Sequence, residues 1–151
     1  MTGAMRETLP DLAAMDALGE RIAVRLRAGD VIALEGGLGA GKTTLARAII
    51  AALGYCGEVP SPTFTIIETY DAPPLKVPVV HADFYRLERP DEAEEIGLDE
   101  YRDGAALIAE WPDHAGGFAH ERTCLSIRLE TEGKGRIAVF HAGEDWLERM
   151  P

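Results

Sequence analysis

A glycine-rich segment near residue 40 carries the residues whose types and spacing most directly indicate chemistry. It reads Gly36-Gly37-Leu38-Gly39-Ala40-Gly41-Lys42-Thr43-Thr44 and fits G-x-x-x-x-G-K-[ST], the phosphate-binding loop. Glycines let backbone N–H groups turn inward around phosphate oxygens, and the Lys42 amine can reach the β- and γ-phosphates. The Thr43 hydroxyl can ligate Mg²⁺. The pattern predicts a nucleotide site whose loop contacts are Gly37, Leu38, Gly39, Ala40, Gly41, Lys42, Thr43 and Thr44.

The elements that must position this loop flank it directly. Residues 31–34 form a short apolar, β-prone run, and residues 42–53 carry apolar side chains at helical spacing before Gly54 ends the helix. A glycine-rich turn with an incidental lysine is the alternative interpretation, and it explains the flanks less well. A dinucleotide-binding fingerprint also fits less well, because its third glycine would fall at position 42, where Lys42 stands.

Two carboxylates follow apolar strands further along the chain, Asp83 after residues 79–82 and Glu110 after residues 107–109. A phosphate-binding loop needs an opposing carboxylate to hold the Mg²⁺ shell and order a water. Ligands of parallel α/β sheets lie beyond the carboxyl ends of the strands, so both acids are expected to face the phosphates. Each could instead close its strand in solvent. Trp111, next to Glu110, could stack near the site or fill the core.

The remaining pattern predicts an α/β fold. A helix begins after the N-cap Asp11 and runs to Gly29, with Met15 on its apolar stripe. Strands are predicted at 65–70, 77–82 and 105–109, a C-terminal hairpin at 123–130 and 136–141, and a short last helix at Trp146. The fold expected for residues 1–151 is one domain with a mostly parallel central sheet, flanking helices and this β-hairpin.

Composition narrows the class of protein. The chain has 151 residues, 46% of them hydrophobic and 27% charged, which is ordinary for a globular protein. No apolar run reaches the ~18 residues of a membrane span, and residues 1–9 lack a signal core, so we expect a cytoplasmic protein without a membrane partner. Cys56 and Cys124 are expected to be free thiols, and the four histidines lack zinc spacing.

Charge bears on the partners. The net charge is −11, which argues against this chain alone binding nucleic acid, since phosphate backbones need a basic surface. If RNA is involved, a partner supplies the contact. Residues 88–103 carry eight carboxylates against Arg89 and Arg102. That run is either a solvated helical face or an acidic docking surface.

Four blocks in order resemble the TsaE family of bacterial P-loop ATPases. They are Gly-Gly-Leu-Gly-Ala-Gly-Lys-Thr-Thr at 36–44, Ser-Pro-Thr-Phe at 61–64, His-Ala-Asp-Phe-Tyr-Arg-Leu at 81–87 and Glu-Trp-Pro at 110–112. Each block alone is weak, but their order is highly specific. The resemblance runs from about Leu9 to Pro112, and the C-terminal third carries little signature.

The resemblance implies a function. The family supports synthesis of N6-threonylcarbamoyladenosine, the modified base beside the anticodon of tRNAs, by hydrolysing ATP on a heterodimer of TsaD and TsaB that holds the tRNA. It implies ATP and Mg²⁺ as cofactors, hydrolysis that is slow without those partners, and tRNA contact only through them. The implied catalytic residues are Lys42, Asp83 and Glu110, and the implied metal ligands are Thr43 and Glu110. Asp11, Thr63 and Trp111 are the remaining implied nucleotide contacts.

Two positions depart from the residues that are usual in the family, and the sequence leaves two alternative functions open. The family often has Asp where Gly37 stands, in a variable slot, and Thr where Met15 stands, which bears on contacts to the base. Asp83-Phe84-Tyr85-Arg86 also fits a small-molecule kinase, with a base and a phosphate-clamping arginine. The short chain and the lack of an arginine-rich lid argue against a kinase. A nucleotide-dependent interaction module without useful catalysis is the other alternative.

Overall fold

A computed structural model describes residues 4–62 and 65–151. Its elements are β1 (Ala4–Leu9), α1 (Leu12–Ala23), β2 (Val31–Glu35), α2 (Lys42–Ala52), β3 (Ile67–Tyr70), β4 (Val79–Asp83), α3 (Glu92–Glu95), α4 (Leu98–Arg102), β5 (Ala106–Glu110), β6 (Cys124–Glu132) and β7 (Gly135–Ala142), with single 3-10 turns at Pro112–Ala115 and Glu144–Trp146. None of the helices in these ranges has the length and apolar character needed to cross a bilayer.

The strands form one mixed sheet in the order β1-β7-β6-β2-β5-β4-β3. Strands β4, β5, β2 and β6 are mutually parallel, and the pairs β1–β7, β6–β7 and β3–β4 are antiparallel. The predicted α/β fold with a C-terminal hairpin is confirmed, and its parallel part is confined to the four strands around β2. The carboxyl ends of those four strands therefore meet at one edge, where a ligand site is expected.

Two apolar layers cover the sheet. One face packs against α1 and α2 through side chains such as Leu18, Ile22 and Leu45. The other face packs against the α3–α4 segment and the loop near Phe118. In residues 88–103 the buried side chains are Ala93 and Leu98, while most of the carboxylates are exposed. That distribution favours a solvated face for the acidic segment, and its use as a docking surface stays a prediction.

Strand β1 was not predicted, because its sequence carries charged residues and no long apolar run. It forms through its partner: all six residues pair with β7, from Ala4 opposite His141 to Leu9 opposite Arg136. A strand defined by tertiary pairing leaves little local signal.

Both cysteines are free, Cys56 exposed and Cys124 buried, as predicted. Burial raises the pKa of the Cys124 thiol to about 11.

Helix α1 begins where predicted and ends earlier. The Asp11 carboxylate accepts the Ala14 N–H at 2.9 Å, which caps the helix. The helix ends at Ala23 instead of continuing to Gly29, because Arg25 and Leu26 donate to carbonyls three residues back and tighten the backbone out of the α-helix.

Gly19 sets the distance between α1 and α2. A Cβ at this position would lie 2.5 Å from the Ala48 Cβ and 2.9 Å from the Ala48 carbonyl carbon. We predict that Gly19→Ala lowers the free energy of unfolding by about 1–3 kcal/mol, although alanine is the better helix former by about 1 kcal/mol. Urea unfolding followed by circular dichroism measures the change. Glu20→Ala, an exposed neighbour on the same helix, is the control, and a Gly19 variant as stable as that control would contradict the close packing.

Candidate nucleotide site

The glycine-rich segment joins β2 to α2 in a conformation that glycine makes accessible. Gly36, Gly39 and Gly41 have φ values of +139°, +76° and +106°, which L side chains rarely adopt. Gly41 is also the N-cap of α2 and has no side chain to bond the first-turn N–H groups. Those donors stay available, and the helix dipole adds partial positive charge beside them. The loop therefore has the features of an anion cradle.

Lys42 begins α2 and is buried. Its ammonium donates to the carbonyl oxygens of Gly36 and Gly37 at 2.7 and 2.8 Å, and it lies 4.3 Å from the centre of the Trp111 ring. Burial lowers the pKa of Lys42, and the carboxylates of Glu110 and Asp83 oppose that shift. The lysine is thus a desolvated cation held over the loop by weak acceptors, which a phosphate can replace.

Sheet register brings the two predicted carboxylates together. Asp83 and Glu110 are register partners at the ends of the parallel strands β4 and β5, and both are buried. Glu110 Oε1 accepts the Thr43 hydroxyl at 2.7 Å, although 67 residues separate the two. Asp83 Oδ1 accepts the Tyr85 N–H at 3.0 Å. Glu110 therefore faces the start of α2, and Asp83 lies beside it at the same edge of the sheet.

Thr43 and Glu110 fit the chemistry of Mg²⁺, which binds oxygen ligands and usually takes one or two from protein, with phosphates and waters completing the shell. Their oxygens are already within hydrogen-bond distance. Across residues 4–62 and 65–151, no group of three or more His, Cys, Asp or Glu residues forms an all-protein metal cage. The site thus suits a metal that arrives with a phosphate ligand.

These residues line one cavity of about 370 Å³, within the usual range for ligand pockets. Of the predicted site residues, the cavity lining includes Asp11, Leu38, Gly39, Ala40, Gly41, Lys42, Thr43, Thr44, Asp83, Glu110 and Trp111. Gly37 is in the same loop, beside this lining. Thr63 lies outside the described residues.

The start of α1 forms part of the cavity wall. Leu12 is 70% exposed and lines the cavity. Met15 is buried and also lines it, and its Cε lies 3.1 Å from where a Gly41 Cβ would be. The start of α1 therefore gives the cavity an apolar wall.

Trp111 lies at the nucleotide cavity, which is one of the two roles that the sequence left open. Its backbone lies in the left-handed region at φ 55°, ψ 53°, which is uncommon for a bulky residue. That conformation turns the indole toward Lys42 and into an aromatic group with Tyr85 and His114, with ring centroids 5.0 and 5.5 Å away. Trp111 is half-buried and lines the cavity, so it borders the site instead of filling the core.

Two basic residues of the cavity were missed by the sequence interpretation, Lys134 and Arg136. Strand β6 continues four residues past Arg128, the partner of the last β2 residue, so the β6–β7 turn projects over the glycine-rich loop. From there Arg136 donates to the carbonyls of Ala40 and Gly39 at 2.9 and 3.0 Å. No motif marks these residues, and the hairpin pattern was the available signal.

The family model described as "Threonylcarbamoyl adenosine biosynthesis protein TsaE" matches residues 9–138. The chain belongs to the TsaE family. The match confirms the resemblance and extends it past Pro112 through the first half of β7, and so over Lys134 and Arg136.

Individual relatives agree with the TsaE assignment. The chain is 45% identical over 145 residues to the protein of Streptomyces coelicolor named tRNA threonylcarbamoyladenosine biosynthesis protein TsaE, covering 87% of this chain and 93% of that protein. It is 46% identical to the Bacillus subtilis protein of the same name, covering 87% and 75%. The crystal structure of Bacillus subtilis YdiB superposes with a TM-score of 0.80 at 28% identity, covering 99% of this chain and 93% of that one.

Arg136 generates a prediction about the unliganded loop. Arg136→Ala removes two donors from the loop carbonyls, so the amides of residues 38–41 should exchange with deuterium several-fold faster. Hydrogen-exchange mass spectrometry of the apo protein measures this. Arg128→Ala is the matched control, because Arg128 lies on the neighbouring strand and pairs with Glu130 at the surface. Equal loop exchange in both variants would show that Arg136 does not hold the loop.

Proposed function

We propose that this TsaE-family protein binds ATP with Mg²⁺ and hydrolyses it in support of N6-threonylcarbamoyladenosine formation on tRNA. The observation that carries the proposal is the convergence of Lys42, Thr43, Asp83 and Glu110 at one sheet edge, on a glycine-rich loop at a helix N-terminus. The relatives' shared name supplies the biological process.

Each residue has a distinct role in hydrolysis. The Lys42 ammonium exchanges its bonds to the carbonyls of Gly36 and Gly37 for charge-assisted bonds to phosphate oxygens. Its positive charge also stabilises the negative charge that develops on the phosphate during hydrolysis. Thr43 and Glu110 would hold Mg²⁺, which supplies electrostatic stabilisation of the phosphates. The Asp83 carboxylate orients the attacking water. The Tyr85 N–H donates to this carboxylate and holds it in place.

Two alternatives are weaker on this geometry. A kinase would need Arg86 as a phosphate clamp, but Arg86 is exposed and is not among the described residues that line the cavity. A binding module without catalysis could use Glu110 to hold Mg²⁺, but it would not need Asp83, the second buried carboxylate beside the loop.

The partners proposed are TsaD and TsaB, with tRNA contacted only through them, in the cytoplasm. The net charge of −11 supports this division, since the chain lacks the excess of basic residues that binding tRNA alone requires.

A partner assay tests the function. We predict slow ADP release by the isolated chain and faster release when TsaD and TsaB are added, with Lys42→Ala abolishing most of both because the phosphate contact is lost. Coupled ADP detection measures the rates, and parallel reactions with candidate phosphate acceptors test for a kinase. Equal rates with and without the partners would contradict the proposed role, and full activity of the lysine variant would contradict the site.

A second prediction separates the two carboxylates. Glu110→Ala should weaken Mg²⁺-dependent nucleotide binding, since it removes a metal ligand from the ground state. Asp83→Ala should bind with nearly unchanged affinity and lose turnover, since its contact is made to the attacking water. Trp111 fluorescence can report the titration, because its ring lies beside Lys42. If the two variants bind Mg-ATP equally well and differ only in turnover, this division of roles is wrong.

A further inference from the structure

His81 is a buried polar residue that the proposed mechanism does not use. It lies on β4 with no exposed surface, two residues before Asp83 and therefore on the same face of the sheet. Because Asp83 is the register partner of Glu110, His81 is the diagonal neighbour of Glu110 on the adjacent strand. Its Nε2 lies 2.7 Å from Glu110 Oε2, and both side chains are almost fully enclosed.

The surroundings of the His81 ring indicate which of its two nitrogens carries the proton. Nδ1 is buried and has no hydrogen-bond partner among the described residues, so a proton there would be an unsatisfied donor. Nε2 faces a carboxylate oxygen, which accepts but does not donate when ionised. The hydrogen-bond network thus places the proton on Nε2, which donates to Glu110.

The two oxygens of Glu110 then have one donor each. Oε1 accepts the Thr43 hydroxyl and Oε2 accepts the His81 ring, both at 2.7 Å. A carboxyl group held at both oxygens cannot rotate freely about its terminal torsion, which is otherwise broad. Without the His81 donor, a buried oxygen would lose its partner, and the carboxylate would be drawn toward the Lys42 ammonium, with which it interacts electrostatically.

We propose that His81 is a positioning residue that holds the Glu110 carboxylate in the orientation in which it and Thr43 bind Mg²⁺. This inference rests on the proposed function. It differs from a packing role because it depends on one N–H at one place. An apolar side chain of similar size can fill the space without supplying that donor.

Three substitutions separate the donor from the packing. In His81→Gln the side-chain amide reaches the position of Nε2 and can donate. In His81→Asn the amide is too short to do so, and His81→Leu fills the space without a donor. His120→Leu, at an exposed histidine away from the nucleotide cavity, is the matched control.

Isothermal titration with ATP, in Mg²⁺ and in EDTA, is the main measurement, with circular dichroism to check folding. Removal of a residue that orients a metal ligand typically weakens metal affinity 10–100-fold. We expect His81→Leu and His81→Asn to lose about 10-fold or more of the affinity that Mg²⁺ adds, with binding in EDTA unchanged. We expect His81→Gln and His120→Leu to stay near wild type.

A second readout needs no nucleotide. Nitrogen-15 NMR of the imidazole rings in the apo protein should show the His81 ring protonated at Nε2 and bare at Nδ1. A ring protonated only at Nδ1 would overturn the proposal.

Other outcomes would also overturn it. Leucine or asparagine variants with wild-type Mg²⁺ enhancement would show that the donor is dispensable. A glutamine variant as weak as the leucine variant would show that shape matters and the hydrogen bond does not. If His81→Leu does not fold, the comparison of glutamine with asparagine decides the same question. Wild-type protein that binds ATP equally with and without Mg²⁺ would instead refute the metal site, and the proposed function with it.

Discussion

The site depends on the register of the parallel strands β2 and β5, which places Glu110 within hydrogen-bond distance of Thr43. This hydrogen bond joins the first turn of α2 to the last residue of β5, across 67 residues of chain, with Glu110 buried and Thr43 partly exposed at the cavity. It forms because β2 and β5 are adjacent and parallel, so the loop leaving β2 turns back over the end of β5. A slip of one residue in β5 would turn Glu110 to the opposite face and separate it from both Thr43 and His81.

The C-terminal hairpin, formed by β6 and β7, completes the site by contacting the glycine-rich loop. Because β6 is parallel to β2 and longer, its turn extends past the sheet edge and carries Arg136 to the glycine-rich loop. The close approach is permitted at Gly36, where a Cβ would lie 2.5 Å from the Leu129 carbonyl oxygen. The hairpin, the loop and the start of α1 therefore constrain one another, and β1 anchors the outer side of the hairpin.

Features determined by residues that are close in the chain could be predicted from the sequence more easily than features determined by tertiary contacts. The strand, loop and helix around Lys42 are consecutive, so local pattern was sufficient to place them. Asp83 and Glu110 were found because both end apolar strands, and a general rule places such ends together. Arg136 and His81 could not be assigned in this way, since their roles depend on the length of β6 and on the register of β4 with β5. Strand β1 and the early end of α1 were missed because tertiary pairing and backbone tightening override propensity.

The charges that line the cavity bear on the proposed use of Mg²⁺. Among the described residues the cavity lining carries three cations, Lys42, Lys134 and Arg136, and three carboxylates, Asp11, Asp83 and Glu110. The net charge of −11 therefore lies outside the cavity, which is a neutral opening in an acidic surface. A triphosphate entering alone would bring its charge close to Asp83 and Glu110. Mg²⁺ would offset that repulsion, so the same carboxylates that would oppose the free nucleotide would favour the proposed metal complex.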